Sequence, residues 1–141
     1  MRITASVNSS ASHHHAEVST QGTRRSLAVP VKETGPGSSV NGGEFLMLAL
    51  ATCYCNDLWR EAKRLGLLLE AVEVEAEAVF ADRGLAASDV RYRARVRSPE
   101  PAERIEQLLK ETDAVAEVHN TLRAQVPVVL VPWSTGGESR T

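Results

Sequence analysis

Seven consecutive residues, 45–51 (FLMLALA), carry no polar side chain, and the residues around them mark a helix rather than a strand. Asn41 offers a side-chain oxygen to the first free backbone N–H groups. Glu44, three residues on, can close a capping box. Downstream, Asn56 to Arg64 turns amphipathic, Lys63 and Arg64 suit the negative helix end, and Gly66 suits the residue just past it. The spacing predicts one helix over 43–65. Its first half is apolar on every side, so it is expected to be buried all round. A chain of 141 residues must find cover for it, and that requirement constrains everything else.

The cover is expected from strands. Ile3, Ala5 and Val7, then Ala16 and Val18, then Leu27, Val29 and Val31 alternate with polar residues. Asn8-Ser9-Ser10 and Gln21-Gly22-Thr23 supply turn chemistry between them, so three antiparallel strands are predicted. Residues 35–39 (GPGSS) form a loop into the helix. After it, Val72, Val74, Ala76, Ala78 and Phe80 alternate with Glu73, Glu75 and Glu77. Past a turn at Asp82-Arg83-Gly84, Val90, Tyr92, Ala94 and Val96 alternate with Arg91, Arg93, Arg95 and Arg97. Two such strands place an acidic row beside a basic row on a solvated face, where opposite charges favour one register.

Ser98-Pro99 reads as the start of a second helix, with Ile105, Leu108 and Leu109 in its buried stripe. Asp113 is expected to cap a short helix over 114–119, and a last strand is predicted over 126–131. The order is three strands, long helix, two strands, two helices and one strand. That is an α+β chain, read as a single domain over residues 1–132 with a polar tail over 133–141.

Net charge is −2 with no basic block, which excludes a nucleic-acid surface or a polybasic membrane patch. The apolar run is too short to cross a bilayer, and no signal-peptide layout opens the chain. Two cysteines make no disulfide framework, so the expected location is cytoplasmic with reduced thiols.

Cys53 and Cys55 lie two apart in the predicted helix. A rotation of about 200° sends their side chains to opposite faces, which disfavours both a disulfide and a shared zinc ion. Cys53 shares a face with Leu46, Ala49, Leu50 and Asp57. Asp57, one turn on, raises a thiol's pKa by its charge, so a reactive Cys53 requires a compensating cation. His13 and His15 share a strand face, but no third partner completes a metal site. His119 falls at a helix end and fits a capping, core or catalytic role equally.

The order of elements, the segment NGGEFLMLALATCYCNDL and the segment AEVHNTLRAQVPVVL together resemble the OsmC/Ohr family of osmotically induced and organic-hydroperoxide-resistance proteins. The resemblance covers about residues 1–132 and is most specific from Glu44 to Cys53. It implies an intertwined homodimer in which strand-rich layers wrap two central helices, with active sites at the subunit interface. It also implies a cysteine peroxidase that reduces organic hydroperoxides in oxidative-stress defence; separately, no cofactor and no metal are expected. By motif position the peroxidatic cysteine is Cys53. Ala116 stands where the second, resolving cysteine belongs. Gly43 stands at the glutamate of the hydroperoxide branch, while Glu44 matches other branches.

Three readings follow. Cys53 is a one-cysteine peroxidase resolved by an external thiol, or by Cys55 after local unwinding. Alternatively, the homodimer binds a small apolar molecule without turnover, or it performs another thiol reaction. In the first, Arg24, Arg25, Arg123 or a protonated His119 offsets Asp57, and Phe45, Leu46 and Leu50 line an apolar slot.

Overall fold

The computed structural model describes residues 1–133. Element order is β1 (Ile3–Ser9), β2 (His14–Thr20), β3 (Thr23–Leu27), α1 (Gly42–Arg64), β4 (Ala71–Val79), β5 (Ser88–Arg97), α2 (Ala102–Val115) and α3 (Glu117–Arg123). The chain is mixed α+β with antiparallel sheets. It divides into two compact units, one built from Met1–Thr52 and Glu73–Arg95, the other from Cys53–Val72 and the chain from Val96 onward.

In the first unit, β1-β2-β3 form an antiparallel sheet with Val7 opposite Ala16 and Ala16 opposite Leu27. Gln21 and Gly22 both take positive φ (51° and 82°), which is the two-residue hairpin turn whose twist matches its strands. The third strand comes earlier than its apolar residues suggest. It ends at Leu27, and Val31 makes only an isolated bridge to Ser38.

Helix α1 starts as expected. The Glu44 N–H donates to Asn41 Oδ1 at 2.8 Å, and the Asn41 N–H donates to Glu44 Oε1 at 3.2 Å. It also stops as expected. Gly66 takes φ +69° and donates to the Lys63 carbonyl, while Leu67 donates to that of Ala62, satisfying carbonyls the helix end leaves open. The expected all-round burial of its first half is not met within one chain, because Leu48 is 57 % exposed although Leu50 is buried.

The β4–β5 hairpin carries the predicted charge ladder. Arg91 pairs with Glu77, Arg93 with Glu75 and Arg95 with Glu73, at 2.8, 2.6 and 2.5 Å. Falling partner numbers against rising ones are the signature of antiparallel strands. Arg97 turns instead to Glu70 at 3.1 Å.

The second unit holds a core of Tyr54, Leu58 and Ala62 from α1, Leu67 and Leu69 from the connection, and Leu108 and Thr112 from α2. Helix α2 begins three residues after Pro99. Pro101 forces Glu100 out of helical geometry, so the first permitted cap is Pro101 itself (φ −58°, ψ 144°). Ser98 serves elsewhere: its hydroxyl donates to the Leu68 carbonyl at 2.5 Å. Asp113 does not cap a helix over 114–119. It stays within α2, and extended Ala116 separates α2 from α3. Residues 126–131 form no strand, and Val128 and Leu130 are 100 % and 98 % exposed. Most of the predicted tail, 134–141, lies outside the described residues.

Candidate active site

Cys53 and Asp57 stand four residues apart on α1, so their side chains leave one face one turn apart. The half-buried Cys53 Sγ donates to Asp57 Oδ2 at 3.7 Å. Asp57 is only 5 % exposed, and its other oxygen, Oδ1, takes Arg60 Nη1 at 3.0 Å. That ion pair spans three residues of the same helix, which fixes the carboxylate against the sulfur. From α3, Glu117 completes the group: the donor atoms of Cys53, Asp57 and Glu117 lie within 4.8 Å of one another. Such a trio has the spacing to share a cation, although the sequence implies no metal. It is equally an arrangement for passing a proton.

The electrostatics follow from burial and from like charge. Burial pushes the Cys53 thiol up; a backbone hydrogen bond from Val118 opposes this, while Asp57 and Glu117 add to it. Burial also raises the Asp57 carboxyl, with Arg60 opposing and Glu117 reinforcing. The charges of Asp57 and Glu117 thus disfavour the Cys53 thiolate, whereas the hydrogen bond from Cys53 favours the Asp57 carboxylate.

His119 from α3 is buried, its ring centroid 5.8 Å from that of Tyr54. Tyr54 donates to the Leu109 carbonyl at 2.6 Å and so fastens α1 to α2. Burial, then the nearby Arg123 charge, hold the imidazole below its ordinary pKa, which leaves it neutral at neutral pH. Arg123 engages Asp113 at 2.7 Å and Asn120 at 3.2 Å.

The second unit therefore gathers Cys53, Asp57, His119 and Arg123, together with Cys55, which is half-buried and free. Arg24, Arg25, Glu44, Phe45, Leu46 and Leu50 belong to the first unit. There Arg24 lies 3.7 Å from Glu17, and Glu44, besides capping α1, lines a groove of about 400 Å³ with Met47, Ala78 and Phe80. His14 and His15 pair across the sheet with Ser9 and Asn8, while His13 lies just before β2.

The sequence reading missed Glu117. Its signal was positional, since Glu117 directly follows Ala116, the residue at the family's second cysteine.

The family model for OsmC-like proteins matches residues 35–131, well over half of the chain. The chain belongs to the OsmC-like family. Solved structures of the same fold agree. The OsmC-like protein of Mycoplasma pneumoniae is 16 % identical, with 86 % of each chain covered and a TM-score of 0.60. An organic hydroperoxide resistance protein OsmC from Legionella pneumophila is 21 % identical, covering 87 % of this chain and 90 % of that one at a TM-score of 0.59. One from Elizabethkingia anophelis is 15 % identical, covering 87 % and 89 % at 0.60. At these identities the likeness establishes the OsmC-like fold. No curated protein matches the chain.

Proposed function

We propose that this OsmC-like chain is a one-cysteine thiol peroxidase that reduces organic hydroperoxides through Cys53, as a homodimer. The observation that carries this is the setting of Cys53, a half-buried thiol hydrogen-bonded to a fixed, buried carboxylate. Structural relatives named as hydroperoxide resistance proteins support the substrate class. The sulfur attacks the distal peroxide oxygen, giving a sulfenic acid and an alcohol. An external thiol condenses with the sulfenic acid, releasing water, and a second thiol reduces the mixed disulfide. Resolution by Cys55 requires α1 to unwind locally. Reduced thiols and the absence of a helix able to cross a membrane among the described residues fit a cytoplasmic protein.

Exposed apolar residues support the dimer: Leu48 in α1 and Val128 and Leu130 in the unpaired segment present surface that a monomer seldom leaves open. An intertwined second copy, wrapping strands around two central helices, covers such surface. Each chain then contributes one OsmC-like domain over 1–132.

One observation favours the alternative of a ligand-binding homodimer without turnover: burial and two carboxylates raise the thiol rather than lower it. Consumption of cumene hydroperoxide with dithiothreitol separates the two. The peroxidase reading expects turnover that Cys53→Ser abolishes and Cys55→Ser retains. Equal turnover in Cys53→Ser removes Cys53 as the nucleophile.

A further inference from the structure

We propose that Asp57 is a catalytic residue of this site, taking the proton from the Cys53 thiol and returning it to the departing alkoxide. The inference rests on the peroxidase reading above and deepens it. Sγ already donates to Asp57 Oδ2 at 3.7 Å, and Arg60 holds Oδ1 at 3.0 Å, so one carboxylate oxygen is fixed while the other faces the sulfur. Cys53 and Asp57 sit on a single helix, so their alignment does not depend on a loop. At 5 % exposure, water competes poorly for the Asp57 carboxylate.

The surrounding charges explain why a proton acceptor is needed. Cys53 faces Asp57 and Glu117, and Asp57 faces Arg60, Glu61 and Glu117, with His119 also within its field. Burial, with the charges of Asp57 and Glu117, raises the thiol pKa against the backbone hydrogen bond from Val118. The arginine of this set is already paired with Asp57, so the thiol keeps its proton near neutral pH. A thiol of that kind attacks well only if its proton leaves as the S–O bond forms. Asp57 accepts it. The sulfur electron pair forms the S–O bond to the distal peroxide oxygen, and the O–O bond breaks with its electrons going to the alkoxide. Asp57 protonates that alkoxide. The balance is Cys53 thiol plus hydroperoxide giving Cys53 sulfenic acid plus alcohol, with the carboxylate restored.

The simpler view of Asp57 as a charge that suppresses the thiolate predicts the opposite sign for its removal. If Asp57 only repels, Asp57→Asn lowers the thiol pKa and speeds the reaction at pH 7. If Asp57 moves the proton, Asp57→Asn slows it by about 10²-fold, at the lower end of general acid–base catalysis. Asp57→Glu then recovers part of the loss.

The experiment measures oxidation of Cys53 by cumene hydroperoxide and its alkylation by iodoacetamide, each from pH 5 to 10, in wild type and both variants. Iodide leaves without a proton, so Asp57→Asn is expected to slow oxidation more than alkylation. In the wild type, the alkylation profile is expected to rise through the carboxylate range and level off before a second rise in the thiol range, the two steps belonging to the pair. Oxidation in Asp57→Asn that is unchanged or faster overturns the proposal. If that variant does not fold, a wild-type alkylation profile with a single thiol-range rise overturns it equally. Failure of the peroxidase reading is distinguishable: the hydroperoxide then oxidises wild-type Cys53 no faster than free cysteine, and the alkylation profile alone decides the role of Asp57.

Discussion

His119 illustrates what one buried residue does to the pH dependence of the whole chain. Burial lowers its pKa in the folded protein, whereas the unfolded chain takes up a proton at the ordinary value, about 6.5. The stability it contributes is complete above that value and is lost as pH falls below it. Asp57 has the opposite sign: its carboxyl is raised, so protonating it in the acid range relieves a cost of the folded state. From pH 7 to 5.5 the histidine lowers the urea midpoint, and protonation of Asp57 acts against that fall. In His119→Gln the fall is expected to shrink; an equally steep fall assigns the effect to another group. At this scale the sequence was partly legible. Cys53 and Asp57 share a helical face at a spacing of four, which periodicity alone reveals. Glu117 did not show, because it reaches the sulfur from another helix and only packing creates that proximity.

Among the elements, local signals were reliable where the chain settles its own geometry. The Asn41–Glu44 box closes α1 as expected, and Asn41→Ala is predicted to lower stability by about 1 kcal/mol in urea titration. A change near zero assigns those N–H groups to water. The Glu and Arg rows of β4 and β5 likewise gave pairing and direction, since a slip by one residue turns every side chain over. These pairs are solvent-exposed and contribute to register more than to stability. Errors arose where neighbours compete. Ser98-Pro99 looked like a helix start, yet Pro101, two residues on, excludes helical geometry at Glu100. Residues 126–131 have the composition of a strand, but a strand needs an edge to pair with, and Pro127 removes one donor.

For the molecule as a whole, exposed Leu48, Val128 and Leu130 mark where a single chain leaves apolar surface uncovered. The family resemblance supplied the fold, which the structural relatives bear out, and composition could not have supplied the assembly. Size-exclusion chromatography with light scattering is expected to give about 31 kDa, twice the 15.3 kDa chain. A stable species at the mass of one chain contradicts the proposed homodimer. The central claim is that Cys53 is the peroxidatic thiol, and mass spectrometry tests it most directly. Reduced protein is mixed with a slight excess of cumene hydroperoxide and dimedone, and the adducts on Cys53 and Cys55 are followed in time. The account predicts rapid, selective labelling of Cys53. Labelling of both cysteines no faster than free cysteine contradicts it.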